Sequence, residues 1–297
     1  MNVVQCLHRT PAIALERFGH DPATPHRDPE RERAGGHAIN FVRKGTFRVR
    51  TSEAWRPVAP DCLFVTSPGL EFSCAHDDEY PEDECLSVLY TEAAIESLRS
   101  AGARPRPRPS SSPGEVPVLA LTNRRAYLRA SLEAAPNGDA ARLEAAAGAL
   151  YWTLGMESKR RPLYRATQLS WYAARVDRAK ELMRADFAEP LSLSRLAREV
   201  GMSLYPFARV FSELEGEPPH RFLVGTRLSE AARRLREGER VTQVCFAVGF
   251  GSLSHFISAF RRRYGASPSQ FREARAGAGA RGQERALRER GVRARRW

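Results

Sequence analysis

Two stretches in the second half of this chain repeat one pattern. Leu196–Gly216 reads LAREVGMSLYPFARVFSELEG, and Val244–Arg272 reads VCFAVGFGSLSHFISAFRRRYGASPSQFR. With Gly201 set against Gly249, Val244 stands where Leu196 stands and small Cys245 where Ala197 stands. After one extra residue in the second turn, Phe256 and Phe260 answer Phe207 and Phe211. Each copy reads as a short helix, a tight turn at the glycine and a second helix. That is the helix-turn-helix pattern, whose second helix enters the DNA major groove. Two such units in one chain can reach successive major grooves, about 34 Å apart, without a dimer.

Charge points the same way. The chain has 297 residues and a net charge of +12, long enough for two domains of roughly 100–200 residues each. Residues 1–164 carry 21 basic and 21 acidic side chains, residues 165–297 carry 26 and 14, so the whole excess falls in the half with the repeats. Clustered Lys and Arg displace counterions from phosphates and supply non-specific affinity for nucleic acid. An arginine-rich composition alone would spread the excess over both halves.

The five cysteines (Cys6, Cys62, Cys74, Cys85, Cys245) have irregular spacing and imply no disulfide framework. The opening apolar run is broken by His8, Arg9 and Glu16, unlike a signal peptide. The longest nearly apolar run, Ala145 to Met156, is too short to span a bilayer. A soluble, reduced, cytoplasmic protein without a cofactor is expected.

Residues 1–95 read as β. His37–Arg43 is expected to pair with Thr46–Arg50 in a hairpin across Lys44-Gly45, followed by strands at Cys62–Ser67, Glu71–His76 and Cys85–Tyr90. Short strands punctuated by Gly and Pro suggest a small antiparallel barrel or jelly roll. Residues 101–117, rich in Pro and Ser, read as a flexible loop, and Lys159–Pro162 as a basic linker. Between them lie two helical stretches, Arg124–Ala135 and Asp139–Met156, the second with Leu143, Ala147, Leu150 and Leu154 on one face. That face can pack on the barrel or pair with a second subunit, making a homodimer one possible arrangement.

Beyond the linker the chain reads as helical: Thr167–Phe187, Ser194–Val200, Leu204–Leu214, Pro219–Glu237, Val241–Val248 and Leu253–Tyr264. Ser192, Ser203 and Thr242 are candidate N-caps, and Gly216, Gly238 and Gly265 fit helix C-termini. The expected fold class is two-domain α+β. An N-terminal antiparallel β jelly-roll barrel with following helices spans 1–160, and an all-α tandem helix-turn-helix domain spans 165–275. Residues 276–297 read as a disordered basic tail adding salt-sensitive, non-specific DNA affinity.

Within each unit the apolar positions of the second helix should hold the core, freeing the other face to read bases. In the first, Phe207, Val210 and Phe211 point inward, leaving Tyr205, Ala208, Arg209 and Ser212 outward. Arg209 is the strongest reader, because its fork can donate two hydrogen bonds to guanine. In the second, Leu253, Ser254, Ile257 and Ser258 face outward and offer a thymine-methyl contact or a hydroxyl bond, but no bidentate reader. The second unit should discriminate bases less sharply. Arg261, Arg262 and Arg263 are assigned to phosphates, while Arg227, Arg233 and Arg234 can be partly structural.

Leu191–Arg272 resembles the DNA-binding domain of the AraC/XylS family of bacterial transcription regulators. The resemblance rests on Leu196–Ser203, Arg209, Phe211, Arg227-Leu228, Ala231, Gly249-Phe250, Ser254-His255-Phe256, Phe260, Gly265, Ser267-Pro268 and Phe271-Arg272. Ser258 departs from the family's usual arginine, and Cys245 from its usual alanine. The family often carries an N-terminal cupin-like sensor barrel, and Gly35–Arg50 is similar to the opening hairpin of one. The resemblance implies a small-molecule effector in the barrel, dimerisation through the helices after it, and RNA polymerase as a partner.

Cys74-x-His76, with Cys85 beyond an acidic loop, invites a metal reading, since thiolate and imidazole suit zinc. A closed site needs four ligands, which His37 or Cys62 would have to complete, and paired CxxC spacing is absent. Buried cysteines in a barrel wall are expected instead, with no metal site; effector contact is assigned to His37, Cys74 and His76. The leading reading is a sequence-specific regulator, an activator by analogy, and not an enzyme. Two alternatives compete. A metal-dependent cupin enzyme needs two histidines and a carboxylate on strands, where this barrel offers only His37 and His76. A DNA-alkylation sensor needs four clustered cysteines, and Cys6, Cys62, Cys74 and Cys85 are scattered.

Overall fold

The computed structural model describes residues 2–20, 23, 31–50, 54–78, 82–101, 118–135, 138–155 and 162–273. Nearly all of the Pro/Ser-rich loop, most of the linker and the basic tail lie outside the described residues. The chain divides into two compact units, residues 1–169 and 170–297. Among the described residues, no helix is long and apolar enough to cross a membrane.

Two antiparallel sheets build the first unit. Its strands are β1 (Asn2–Arg9), β2 (Ile13–His20), β3 (Glu32–Arg33), β4 (His37–Lys44), β5 (Phe47–Arg50), β6 (Arg56–Val58), β7 (Cys62–Thr66), β8 (Glu71–Ala75), β9 (Glu84–Tyr90) and β10 (Val118–Ala120). The strand order is β1-β2-β9-β4-β7-β10 in the larger sheet and β3-β8-β5-β6 in the smaller.

The expected hairpin between β4 and β5 does not form. β4 pairs with β7 and β9, whereas β5 pairs with β6 and β8. The glycine does turn the chain, but from one sheet into the other. The β4–β9 register slips between Val42 and Lys44, and Gly45 follows at φ +77°. A Cβ on Gly45 would lie 2.7 Å from Asp83 Cβ, so only glycine lets this corner press against Asp83.

Burial shows why the middle of β4 is almost entirely apolar. Its residues from Ala38 to Val42 are all buried, because the larger sheet is covered on both faces. Ala38 and Asn40 face a cavity, while Phe41 on the opposite face lies under the Arg129 guanidinium, 5.7 Å from its ring centroid. The helices of the unit are α1 (Glu92–Ser100), α2 (Asn123–Glu133) and α3 (Ala140–Trp152), and α2 and α3 meet that face. The β reading of 1–95 thus ends early, since Thr91 caps α1 by accepting from the Ala94 N–H. Leu143, Ala147 and Leu150 of α3 are buried within the unit, and Tyr90 donates its hydroxyl hydrogen to the Ala147 carbonyl at 2.8 Å. The α3 face is therefore used for packing. In the smaller sheet Phe47 and Val49 alternate with exposed Arg48 and Arg50, the pattern of a sheet with one wet face.

The second unit is helical: α4 (Ala166–Ala185), which begins in the first unit, then α5 (Leu193–Glu199), α6 (Leu204–Glu215), α7 (Pro219–Arg236), α8 (Val241–Ala247) and α9 (Leu253–Tyr264). Ser192 caps α5 with a bond from the Arg195 N–H. Ser203 occupies the α6 cap without a side-chain bond. The α8 cap is Arg240, not Thr242, which falls inside the first turn where its hydroxyl cannot cap. Ser252 caps α9. Gly216 and Gly265 end α6 and α9 in the left-handed conformation, as a glycine after a helix C-terminus should.

Candidate functional site

The two turns of the repeat are built from the same bonds. In the first, Gly201 N–H donates to Arg198 O and Met202 N–H to Ala197 O. In the second, Gly249 N–H donates to Phe246 O and Phe250 N–H to Cys245 O. Both glycines have positive φ, 67° and 85°. Below each turn the helix pair closes on its own core. Leu196, Ala197, Phe207, Val210 and Phe211 are at most 3% exposed, and Val244, Cys245, Phe256 and Phe260 are fully buried.

What remains outward on α6 and α9 is the candidate DNA face. Tyr205 is 84% exposed, Arg209 is exposed and Ala208 half-buried. Ser212 turns its hydroxyl back to the Ala208 carbonyl at 2.6 Å. On α9, Ser254, Ile257, Ser258, Arg261 and Arg262 are exposed, while Leu253 packs partly on the second core.

The arginines divide by what they already hold. Arg227 on α7 donates from Nε to Phe187 O at 2.7 Å and from Nη2 to Glu189 O at 2.9 Å. Arg233 and Arg234 are tied to Glu230, at 2.6 and 2.8 Å. Arg263 reaches the Ser229 hydroxyl at 3.3 Å. The guanidinium groups of Arg209, Arg261 and Arg262 have no hydrogen-bond or ion-pair partner among the described residues. These three can meet a base or a phosphate without breaking an internal bond.

A second candidate site lies in the first unit. A cavity of about 540 Å³ opens between the two sheets. Phe18, Phe47, Phe64, Phe72 and Leu89 give it apolar walls, and Asn40, Thr66 and Ser87 add polar groups. Cys74, Cys85 and His76 line it as well, whereas His37 does not. His37 sits 3.4 Å from the Glu92 carboxylate.

At this cavity the fold gathers three side chains that the spacing did not connect. His20 Nδ1 is 2.7 Å from Asp83 Oδ1, and His76 Nε2 is 3.4 Å from the same oxygen. All three side chains are no more than 7% exposed. Burial pushes the Asp83 carboxyl up, but the bonds and charge of His76 and His20 outweigh it and hold it below its ordinary value. The Cys85 thiol, buried beside Asp83 and Glu84, is pushed up to about 12, so it stays a thiol at neutral pH. The sequence pattern sets no strand bounds before His37, and nothing local links His20 to a partner 63 positions away.

Residues 196–274 match a protein family described as a helix-turn-helix domain. The virulence regulon transcriptional activator VirF of Yersinia enterocolitica is 32% identical over 97 residues, 32% of this chain and 36% of that protein. The HTH-type transcriptional activator RhaS of Escherichia fergusonii is 36% identical over 90 residues, 30% of this chain and 32% of that one. Among solved structures, a regulator with an AraC-type DNA-binding domain from Chromobacterium violaceum is 32% identical, covering 35% of this chain and 93% of that chain at a TM-score of 0.33. This chain spans about a third of the length of the curated relatives it matches. Residues 196–274 are a helix-turn-helix domain of the AraC/XylS type.

Proposed function

We propose that this protein is a sequence-specific DNA-binding transcription regulator, an activator rather than an enzyme, controlled by a small molecule taken up in the cavity of its first unit. The observation that carries the reading is the paired turn. Two helix pairs with the same turn hydrogen bonds each leave one helix face exposed, with uncommitted arginines on both. On this reading α6 and α9 enter successive major grooves. Arg209 reads a base, and Tyr205, Ala208 and Ser212 fit the groove around it. Ser254, Ile257 and Ser258 make the softer contacts of the second groove beside Leu253, and Arg261 and Arg262 hold phosphates.

The strand order of the first unit supports a jelly-roll, cupin-like barrel. Setting aside the outer strands β1 and β10, the sheets run first-eighth-third-sixth and second-seventh-fourth-fifth. The cavity has the size and the mostly apolar lining of a small-molecule site, with Cys74 and His76 among the groups an effector would touch. RNA polymerase, and a second copy of the chain, are the protein partners of this reading.

Selection from a random duplex library with the purified full-length protein tests it. Enrichment of one bipartite sequence at physiological salt is expected. Binding without enrichment, both with full-length protein and with residues 165–297 alone, would remove sequence-specific reading.

A further inference from the structure

His20, His76 and Asp83 arrive at one point from the end of β2, the end of β8 and the residue before β9. Their donor atoms lie within 4.8 Å of one another. A zinc-sized ion bonds nitrogen and oxygen at roughly 2.0–2.2 Å, so donors about 3–3.5 Å apart are what tetrahedral or octahedral coordination requires. The 3.4 Å His76–Asp83 separation meets that, and the 2.7 Å His20–Asp83 contact needs only a small opening.

The surroundings hold the three groups in place. Phe18 meets the His20 ring edge-on at 5.7 Å, and Phe47 lies 5.4 Å from the His76 ring. The two imidazoles pack edge to face at 4.9 Å. The Gly45 corner fills the space against Asp83, where a Cβ would be 2.8 Å from Asp83 Cα. Side chains fixed by packing are what a preorganised ligand set needs.

We propose that His20, His76 and Asp83 bind a divalent first-row transition-metal ion, zinc or iron(II) in class, with its remaining coordination positions open to the cavity. Two imidazoles and one carboxylate suit these ions and are too nitrogen-rich for magnesium or calcium. Cys74 and Cys85, two residues from His76 and Asp83, line the same cavity and add a soft rim. The site stands independently of the DNA-reading proposal, because its test uses neither DNA nor an effector.

The test is cobalt(II) titration of the full-length protein after removal of metal by a chelator. One equivalent should bind with visible d–d absorption, and equimolar zinc should abolish the spectrum. His20→Gln, His76→Gln and Asp83→Asn each remove a direct ligand and should each lose at least the roughly 10–100-fold that an outer-shell change costs, with unchanged far-ultraviolet circular dichroism. Binding only at millimolar metal, or wild-type affinity in the three variants, would overturn the proposal. X-ray absorption on the zinc-loaded wild type needs no variant to fold. Its first shell should contain two imidazoles and at least one oxygen, and a shell without imidazole would likewise overturn the site.

Discussion

The Arg227 guanidinium donates to the Phe187 carbonyl at 2.7 Å, fastening α7 to the segment that follows α4. Its second bond, to the Glu189 carbonyl, leaves this arginine committed to the fold and not to DNA. Arg227→Ala should therefore destabilise the second unit by about 2 kcal/mol, the scale of hydrogen bonds from a charged donor. Thermal unfolding of the full chain measures it; weaker DNA binding with an unchanged transition would instead make Arg227 a DNA contact.

Gly201 and Gly249 play the same part in the two turns, yet their surroundings differ. A Cβ on Gly249 would sit 2.5 Å from the Ala188 carbonyl oxygen, while one on Gly201 would meet nothing within 4 Å. Gly201→Ala should cost the ~1–2 kcal/mol of a left-handed non-glycine residue. Gly249→Ala should cost clearly more, because backbone must move as well. Urea titration of both variants checks the order, and equal losses would contradict it.

Glu230 is held down to about 2, mainly by its hydrogen bond from Arg233 and then by Arg234, against the cost of burial. A carboxylate lowered from 4.5 in this way stabilises the fold fully above its unfolded value and loses that contribution as pH falls towards 2. Wild type should melt higher than Glu230→Gln at pH 6, and the gap should narrow as pH drops from 4.5 to 2. A gap that stays constant with pH would contradict the ion-pair account.

Arg209 on α6 and the pair Arg261 and Arg262 on α9 should fail in different ways. Arg209→Ala should weaken specific binding by roughly 1–3 kcal/mol and relax preference at one base. Arg261→Ala or Arg262→Ala should weaken all sequences alike and lower the salt slope by about one each. Binding curves on matched and mismatched duplexes at several salt concentrations separate the two behaviours.

The helical half was legible because its rules are local. Phenylalanines four apart on α6 and α9, and glycines where each helix must stop, carry that unit without distant information. Strand partnership is not local. Lys44-Gly45 looks like a hairpin turn, but both edges of β4 are taken by β7 and β9, so the same turn hands the chain to the other sheet. β1 and β2 fall inside the region read as β but carry no local signal for their bounds or partners, and His20 ends the second. Cys74 and His76 are legible as a closely spaced pair, yet their carboxylate neighbour lies across an acidic loop and the second imidazole lies near the N-terminus.

On the proposed function, α6 and α9 enter two successive major grooves from one chain. Hydroxyl-radical footprinting of the full-length protein on its selected duplex tests it most directly. Two protected tracts about one helical turn apart on one face of the DNA are expected, with Arg209→Ala weakening one tract and Arg261→Ala the other. Protection confined to a single groove would contradict it.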